Sequence, residues 1–200
     1  MALPTLEHEL RLDGPVCGID EVGRGPWAGP VVAAAVILDP ACVPAGLDDS
    51  KKLSALRRRG LDGELRACAH IGIGMASVEE IERLNVLGAS MLAMVRALQA
   101  LPQAPAHALV DGNRLPALPC PGTALVGGDG LSASIAAASI VAKVARDALM
   151  AELAGHHPGY GWERNAGYGT REHQDGLARM GITTHHRRSF KPIAELLAAM

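Results

Sequence analysis

Three apolar stretches of this 200-residue chain run into carboxylates, and that pattern limits how the chain can fold. The first, VCGID (16–20), meets Asp20 and Glu21 side by side; HALVDG (107–112) carries Asp111, and TALVGGDG (123–130) carries Asp129. A carboxylate at the end of a buried strand loses hydration, and two adjacent ones also repel, which is costly unless a cation compensates. A lone Asp-Gly after a strand is ordinarily a turn. The same termination on three strands brings four carboxylates together if those ends are neighbours. Like charges at close range raise one another's pKa, so such a cluster stays ionised only with a cation. Oxygen ligands without His or Cys suit Mg²⁺ or Mn²⁺ better than zinc. Two such ions about 4 Å apart clamp the attacking and departing oxygens of an in-line phosphoryl displacement. One geometric difficulty stands: successive side chains of a strand face opposite ways. Asp20 and Glu21 therefore share one ion only if the flanking glycines bend the backbone, or if Glu21 uses its longer reach or its carbonyl oxygen.

VCGID (16–20), GPVVAAAVIL (29–38) and HIGIGMAS (70–77) read as three strands whose short links predict an antiparallel meander. A helix is expected from Ser77, with Glu80 as its capping-box partner, to the break at Pro102. The two aspartate-bearing strands follow, then a long helix from Ser132 to about Leu153 and a glycine-rich, aromatic and basic tail. Strands alternating with helices predict an α/β class built on a mixed sheet. We expect a catalytic core over 1–155 with residues 156–200 as an extension packed on it, the two forming one unit.

The chain is 48% hydrophobic with a net charge of −2, so bulk charge names no partner. Its distribution is more informative. Six Lys or Arg between Arg164 and Lys191 face only Glu172 and Asp175, and Lys51, Arg57, Arg58 and Arg59 form a second cluster, as a phosphate-tracking surface requires. The four cysteines lack any C-x-x-C spacing and read as reduced, mostly buried thiols. Histidines 156–157 and 185–186 are adjacent rather than four apart, which argues against zinc. With no signal-like N-terminus and no membrane-length apolar run, a soluble cytoplasmic protein is expected.

On the helix from Ser132, Ser139, Lys143, Arg146 and Asp147 fall with Ser132 in one polar stripe of an otherwise apolar surface. Ser139 and Lys143 are candidates to hold a phosphate, and Asp147 to orient Lys143 or a metal-bound water; a plain Lys–Asp pair is the alternative. The five aromatic residues all lie outside the long apolar segments. Tyr168, between two glycines in NAGYGTREH, is the best candidate for ligand contact, whereas Trp162 and Phe190 suit wedging the tail onto the core.

The segments GIDEVGRGPWAGPVVAAAV, LDDSKKLS, VDGN, GGDGLSASIAAASIVAKVARD, HPGYGWERNAGYGTREH and HHRRSF, in this order, closely resemble the bacterial ribonuclease HII family from about Cys17 to Lys191. The resemblance implies a ribonuclease H-like fold with a five-stranded mixed sheet, flanking helices and a C-terminal helical extension. It also implies an endonuclease that cuts the RNA strand of RNA–DNA hybrids and nicks duplex DNA 5′ of embedded ribonucleotides, leaving 5′-phosphate and 3′-hydroxyl ends. By position, Asp20, Glu21, Asp111 and Asp129 become ligands of two Mg²⁺ or Mn²⁺ ions. Gly23, Arg24 and Gly25 match the segment whose backbone meets the ribose 2′-OH, and Tyr168 matches the tyrosine that checks the sugar at the RNA–DNA junction. The resemblance favours a monomer. Rival readings are a junction resolvase-like two-metal nuclease on the same fold, a non-catalytic nucleic-acid-binding module and a metal-dependent phosphatase. Dependence on a 2′-OH and on salt separates them.

Overall fold

Small residues decide how closely the layers of this protein approach. A Cβ on Gly18 would stand 2.1 Å from the Ser134 backbone, and one on Gly74 would stand 2.3 Å from the Ala93 carbonyl oxygen, so helices lie directly against both faces of the sheet. The computed structural model describes residues 3–198. Its five strands are β1 (Val16–Val22), β2 (Val31–Leu38), β3 (Ala69–Ala76), β4 (His107–Asp111) and β5 (Gly122–Leu125), in the order β3-β2-β1-β4-β5. β3, β2 and β1 pair antiparallel, while β4 runs parallel to β1 and β5 parallel to β4. The expected mixed sheet and antiparallel meander are both present.

The helices are α1 (Ala55–Cys68), α2 (Val78–Gln99), α3 (Ala133–His156), α4 (Trp162–Asn165), α5 (Arg171–Met180) and α6 (Lys191–Ala198). One side of the sheet buries Cys17, Ile19, Ala33 and Val110 against Ile81, Ala93 and Ala97 of α2. The other buries Ala34 and Val36 against Leu61 and Leu65 of α1 and Ala137, Ile140 and Val141 of α3. This packing is aliphatic and alanine-rich, and the buried rings of Tyr160 and Trp162 lie instead in a separate cluster with Ala28, Met150 and Ile193, against which Trp27 packs.

Several expectations need correction. The β2–β3 link is not short; it contains α1, capped by Ser54, whose hydroxyl accepts from Arg57 N at 3.2 Å. Its ALRRRGLDGELRAC sequence, with two glycines and an arginine run, hides the helical period. The capping box at Ser77 and Glu80 is formed, but α2 is kinked at Asn85 (φ 58°, ψ 171°), whose side chain accepts from Leu87 N and Gly88 N and restarts the helix. β5 stops at Leu125, so Asp129 lies in a 3₁₀ turn over Gly128–Gly130 rather than on the strand. Among the cysteines only Cys17 is fully buried, its thiol pushed up to about 12 chiefly by burial, while Cys42 is exposed; all four are free thiols.

Candidate active site

β1 does not end at its acids. Asp20 pairs with Ala34 and Glu21 with Ala33 in the regular antiparallel ladder, so the two side chains keep the alternation of a strand. Gly18 and Asp20 face α3, and Asp20 is only 7% exposed beside Ser139. Cys17, Ile19 and Glu21 face α2, where Glu21 borders a cleft with Leu87, Ser90, Met91 and Met94. No bend at the flanking glycines brings the two carboxylates to one side.

The parallel pairing of β1 with β4 ends at Ile19 and Val110, one residue short of Asp20 and Asp111. Those two acids thus emerge beside each other where the strands part. Asp111 Oδ1 accepts from Gly128 N at 2.7 Å, which pins the turn carrying Asp129 next to β4. Burial lifts the Asp20 carboxyl well above the usual range, and the charges of Glu21 and Asp111 lift it further. Burial raises Glu21 too, against the opposing pull of Arg24, which it meets at 3.3 Å, and with a further push from Asp111. Asp129 is raised by burial, then by Asp49 and Asp111. The acids on β1, β4 and the turn therefore feel one another's charge, as the sequence pattern predicts.

Two residues at this site were not singled out from sequence as part of it. Asp49 adds a fifth carboxylate beside Asp129, and Lys51 supplies the positive charge near the acids. Burial works against the Lys51 ammonium, but Asp49, Asp129, Asp20 and Asp111 outweigh it and raise its pKa. Among the described residues no three His, Cys, Asp or Glu side chains are closed into a ready-made coordination cage. Like charge and existing hydrogen bonds hold the carboxylates apart: Asp20 Oδ1 accepts from Glu21 N at 2.7 Å, and Glu21 is tied to Arg24. The donor chemistry nevertheless fits a hard divalent cation, since these are oxygen donors, partly desolvated and mutually repelling.

On α3, Ser139 is buried beside Asp20, and its hydroxyl donates to Ser50 Oγ at 2.8 Å, so its proton is taken up inside the protein rather than offered to a phosphate. Lys143 Nζ meets Asp147 Oδ1 at 2.5 Å on the more open part of the stripe. Arg146 departs from the expected polar stripe. It is fully buried and donates to the carbonyl oxygens of Pro30, Ala166 and Ala28. Arg187, counted from sequence in a phosphate-tracking surface, is likewise 0% exposed. Its guanidinium donates to Gly23 O at 2.5 Å, Arg24 O at 3.0 Å and Gly29 O at 2.7 Å. Burial, then the charge of Arg146, brings its pKa down to about 9. The loop between β1 and β2 presents carbonyls to the interior, and two buried guanidiniums satisfy them.

The same loop meets Tyr168. Trp27 N donates to Gly167 O at 2.8 Å, and a Cβ on Gly25 would lie 3.4 Å from Tyr168 Cε1, so the Gly23–Arg24–Gly25 segment and the tyrosine form one surface. Tyr168 is 45% exposed, whereas Trp162 is fully buried as expected of a wedge. Behind Tyr168, its carbonyl oxygen lies 3.0 Å from His173 Nδ1, which makes that nitrogen the protonated one. His173 Nε2 then accepts from Trp162 Nε1 at 3.1 Å and from His186 Nε2 at 3.0 Å, and His186 Nδ1 accepts from Thr183 N. Both rings are neutral in this chain of bonds.

The family model described as Ribonuclease HII matches residues 17–193. Curated relatives named Ribonuclease HII include one from Paramagnetospirillum magneticum, 63% identical over 199 residues, covering 98% of this chain and 99% of the relative. Another, from a Jannaschia species, is 60% identical over 195 residues and covers 97% and 98%. Among solved structures, the PCNA:RNase HII complex from Archaeoglobus fulgidus superposes with a TM-score of 0.75 at 26% identity, over 88% of this chain and 95% of that one. Bst-RNase HIII in complex with Mn²⁺ gives a TM-score of 0.73 at 20% identity, over 98% of this chain and 71% of that one, and shows the shared fold.

Proposed function

Because this chain belongs to the ribonuclease HII family and is thus a metal-dependent endoribonuclease acting on RNA–DNA hybrids, we propose that Asp20, Glu21, Asp111 and Asp129 hold two Mg²⁺ or Mn²⁺ ions at its catalytic centre. The observation that carries this assignment is the emergence of Asp20 and Asp111 from neighbouring parallel strands, with the Asp129 turn hydrogen-bonded to Asp111. When bound, divalent ions supply an activated water and neutralise charge on the leaving oxygen. The chain does the rest. Asp20 offers its carboxylate on the α3 side, Asp111 stands between it and the cleft that Glu21 lines, the turn bonded to Asp111 brings Asp129, and Glu21 completes the set after release from Arg24 or through its main chain. Ser139, bonded to Ser50, packs beside Asp20. Lys51 places a cation where the scissile phosphate arrives.

Substrate choice falls to the joined surface of Gly23, Arg24, Gly25 and Tyr168. The absence of a Cβ at Gly23 and Gly25 lets main-chain groups reach a 2′-OH, which both donates and accepts a hydrogen bond and so separates RNA from DNA. Tyr168 offers a half-exposed ring for the next sugar or base. Lys143, paired with Asp147, and the exposed Arg59 and Arg188 suit backbone phosphates. On this reading the enzyme nicks DNA duplexes 5′ of a single ribonucleotide as well as cutting longer hybrids, as a monomer. No helix among the described residues is long and apolar enough to cross a membrane.

The test is a nicking assay on a DNA duplex with one embedded ribonucleotide, beside an all-DNA duplex, with Mg²⁺, Mn²⁺ or EDTA. Cutting only at the ribonucleotide and only with divalent metal is expected. Equal cutting of the all-DNA duplex removes the 2′-OH reading, and cutting in EDTA removes the metal assignment.

A further inference from the structure

Asp129 sits in a short glycine-rich 3₁₀ turn whose own bonds, Gly130 N to Gly127 O at 3.0 Å and Leu131 N to Gly128 O at 3.0 Å, fix its local form but not its place against the strands. Gly127, Gly128 and Gly130 surround it, Gly127 in the left-handed region (φ 67°), and glycine gives up more backbone freedom on ordering than any other residue. The turn is therefore placed by whatever grips its ends. Upstream, Asp111 takes Gly128 N. Downstream, the grip comes from the N-terminal arm, more than a hundred residues away in sequence.

Thr5 bridges to Ser132 in parallel fashion: Thr5 N donates to Leu131 O at 3.1 Å, and Thr5 O accepts from Ala133 N at 2.9 Å. Four residues on, Glu9 is 9% exposed, and its Oε1 accepts from Ser132 Oγ (2.6 Å), Ser134 N (2.9 Å) and Ser134 Oγ (2.6 Å). These bonds satisfy a free N–H group and two hydroxyls at the first turn of α3, immediately after the Asp129 turn. Glu9 Oε2 is buried with no partner. A carboxylate kept in so dry a place with one oxygen unsatisfied costs stability, and packing alone would be served better by an apolar side chain.

We infer that Thr5 and Glu9 position Asp129 for metal binding by locking residues 131–134 at the start of α3. The inference rests on Asp129 being a ligand. It makes the arm part of the enzyme's metal affinity although it lines no part of the cleft with Glu21 and Asp111. Glu9 does not touch Asp129; it acts through the chain at residues 132–134, and groups that fix where a ligand stands change metal affinity without lining the site.

The experiment titrates Mn²⁺ alone into the full chain and follows free Mn²⁺ by electron paramagnetic resonance, for wild type, Glu9→Ala, Asp129→Asn and the double variant. Glu9→Ala is expected to weaken Mn²⁺ binding about tenfold. In the Asp129→Asn background the same change should weaken it no further, because both act through one carboxylate. Wild-type affinity in Glu9→Ala overturns the inference, as does an undiminished loss in the double variant. Wild-type affinity in Asp129→Asn instead removes the ligand assignment, and the positioning role falls with it. Should Glu9→Ala not fold, Ser134→Ala deletes one of the three bonds and is expected to weaken Mn²⁺ binding about threefold, with the same cancellation.

Discussion

Arg187 Nη2 lies 2.5 Å from the carbonyl oxygen of Gly23, joining residues 164 positions apart. The guanidinium also serves Arg24 O and Gly29 O and stacks 5.0 Å over Phe190, so one side chain sets the shape of the loop that faces the substrate. A lysine has no planar fork to reach several carbonyls at once. Arg187→Lys should therefore destabilise the protein by about 2–3 kcal/mol, read as a lower urea midpoint, and lower discrimination between ribose and deoxyribose at the cleavage site. Unchanged discrimination would show that the loop keeps its form without the fork.

Asp20 carries the opposite kind of cost. Its folded pKa is raised above the unfolded value, so it contributes stability at low pH that is lost as pH rises past the unfolded value toward the folded one; at neutral pH without metal it is a liability. Asp20→Asn should then keep or raise the melting temperature in EDTA while cutting falls by about 10³-fold in Mg²⁺. The same pair of measurements applies to Asp129→Asn. Retained activity in both variants would defeat the ligand assignment.

The neutral pair His173–His186 predicts an acid-sensitive anchor for Tyr168. Burial holds both imidazoles below the usual 6.5, with His186 brought down to about 4 by burial and then by the charge of His173. The unfolded chain takes up protons below about pH 6.5 that the folded one refuses, so stability falls as pH drops toward 4, by about 3 kcal/mol for His186 alone. Urea midpoints at pH 7.5 and 5 measure this slope, and His186→Gln should flatten it. An equal slope in that variant would place the sensitivity elsewhere.

Tyr168 offers a variant that leaves the core untouched. Being 45% exposed, it can be changed to Ala with a stability effect within about 0.5 kcal/mol. Loss of a ring that stacks on nucleic acid should cost about 1–3 kcal/mol of binding or rate at a single ribonucleotide, while Tyr168→Phe keeps most of it. Steady-state kinetics on the duplex with one embedded ribonucleotide check both. Full activity in Tyr168→Ala would remove the ring from substrate recognition.

How far the sequence is legible depends on the kind of interaction. The strands around VCGID and VVAAAVIL, the capping box at Ser77 and Glu80, and the long helix after Ser132 follow from local pattern, because burial and capping act between residues close in sequence. Charge runs are less readable. Arg146 and Arg187 look like surface cations beside Lys143 and Arg188, yet they sit in the interior, since only the folded loop creates the carbonyls they serve. Helix α1 escapes notice because its glycines and arginines break the apolar period.

By itself, the sequence determined which groups are available: oxygen donors at the tips of apolar strands, glycines flanking Arg24, a tyrosine between glycines, and alanine-rich segments that demand close packing. Tertiary structure alone decided their partners. The parallel register of β1 and β4 set Asp20 beside Asp111, strand alternation sent Glu21 to the other face, and the loop after β2 brought Asp49 and Lys51 to the acids. Electrostatic and hydrogen-bond energies depend on distances through space, and for residues far apart in the chain those distances exist only once the sheet has formed.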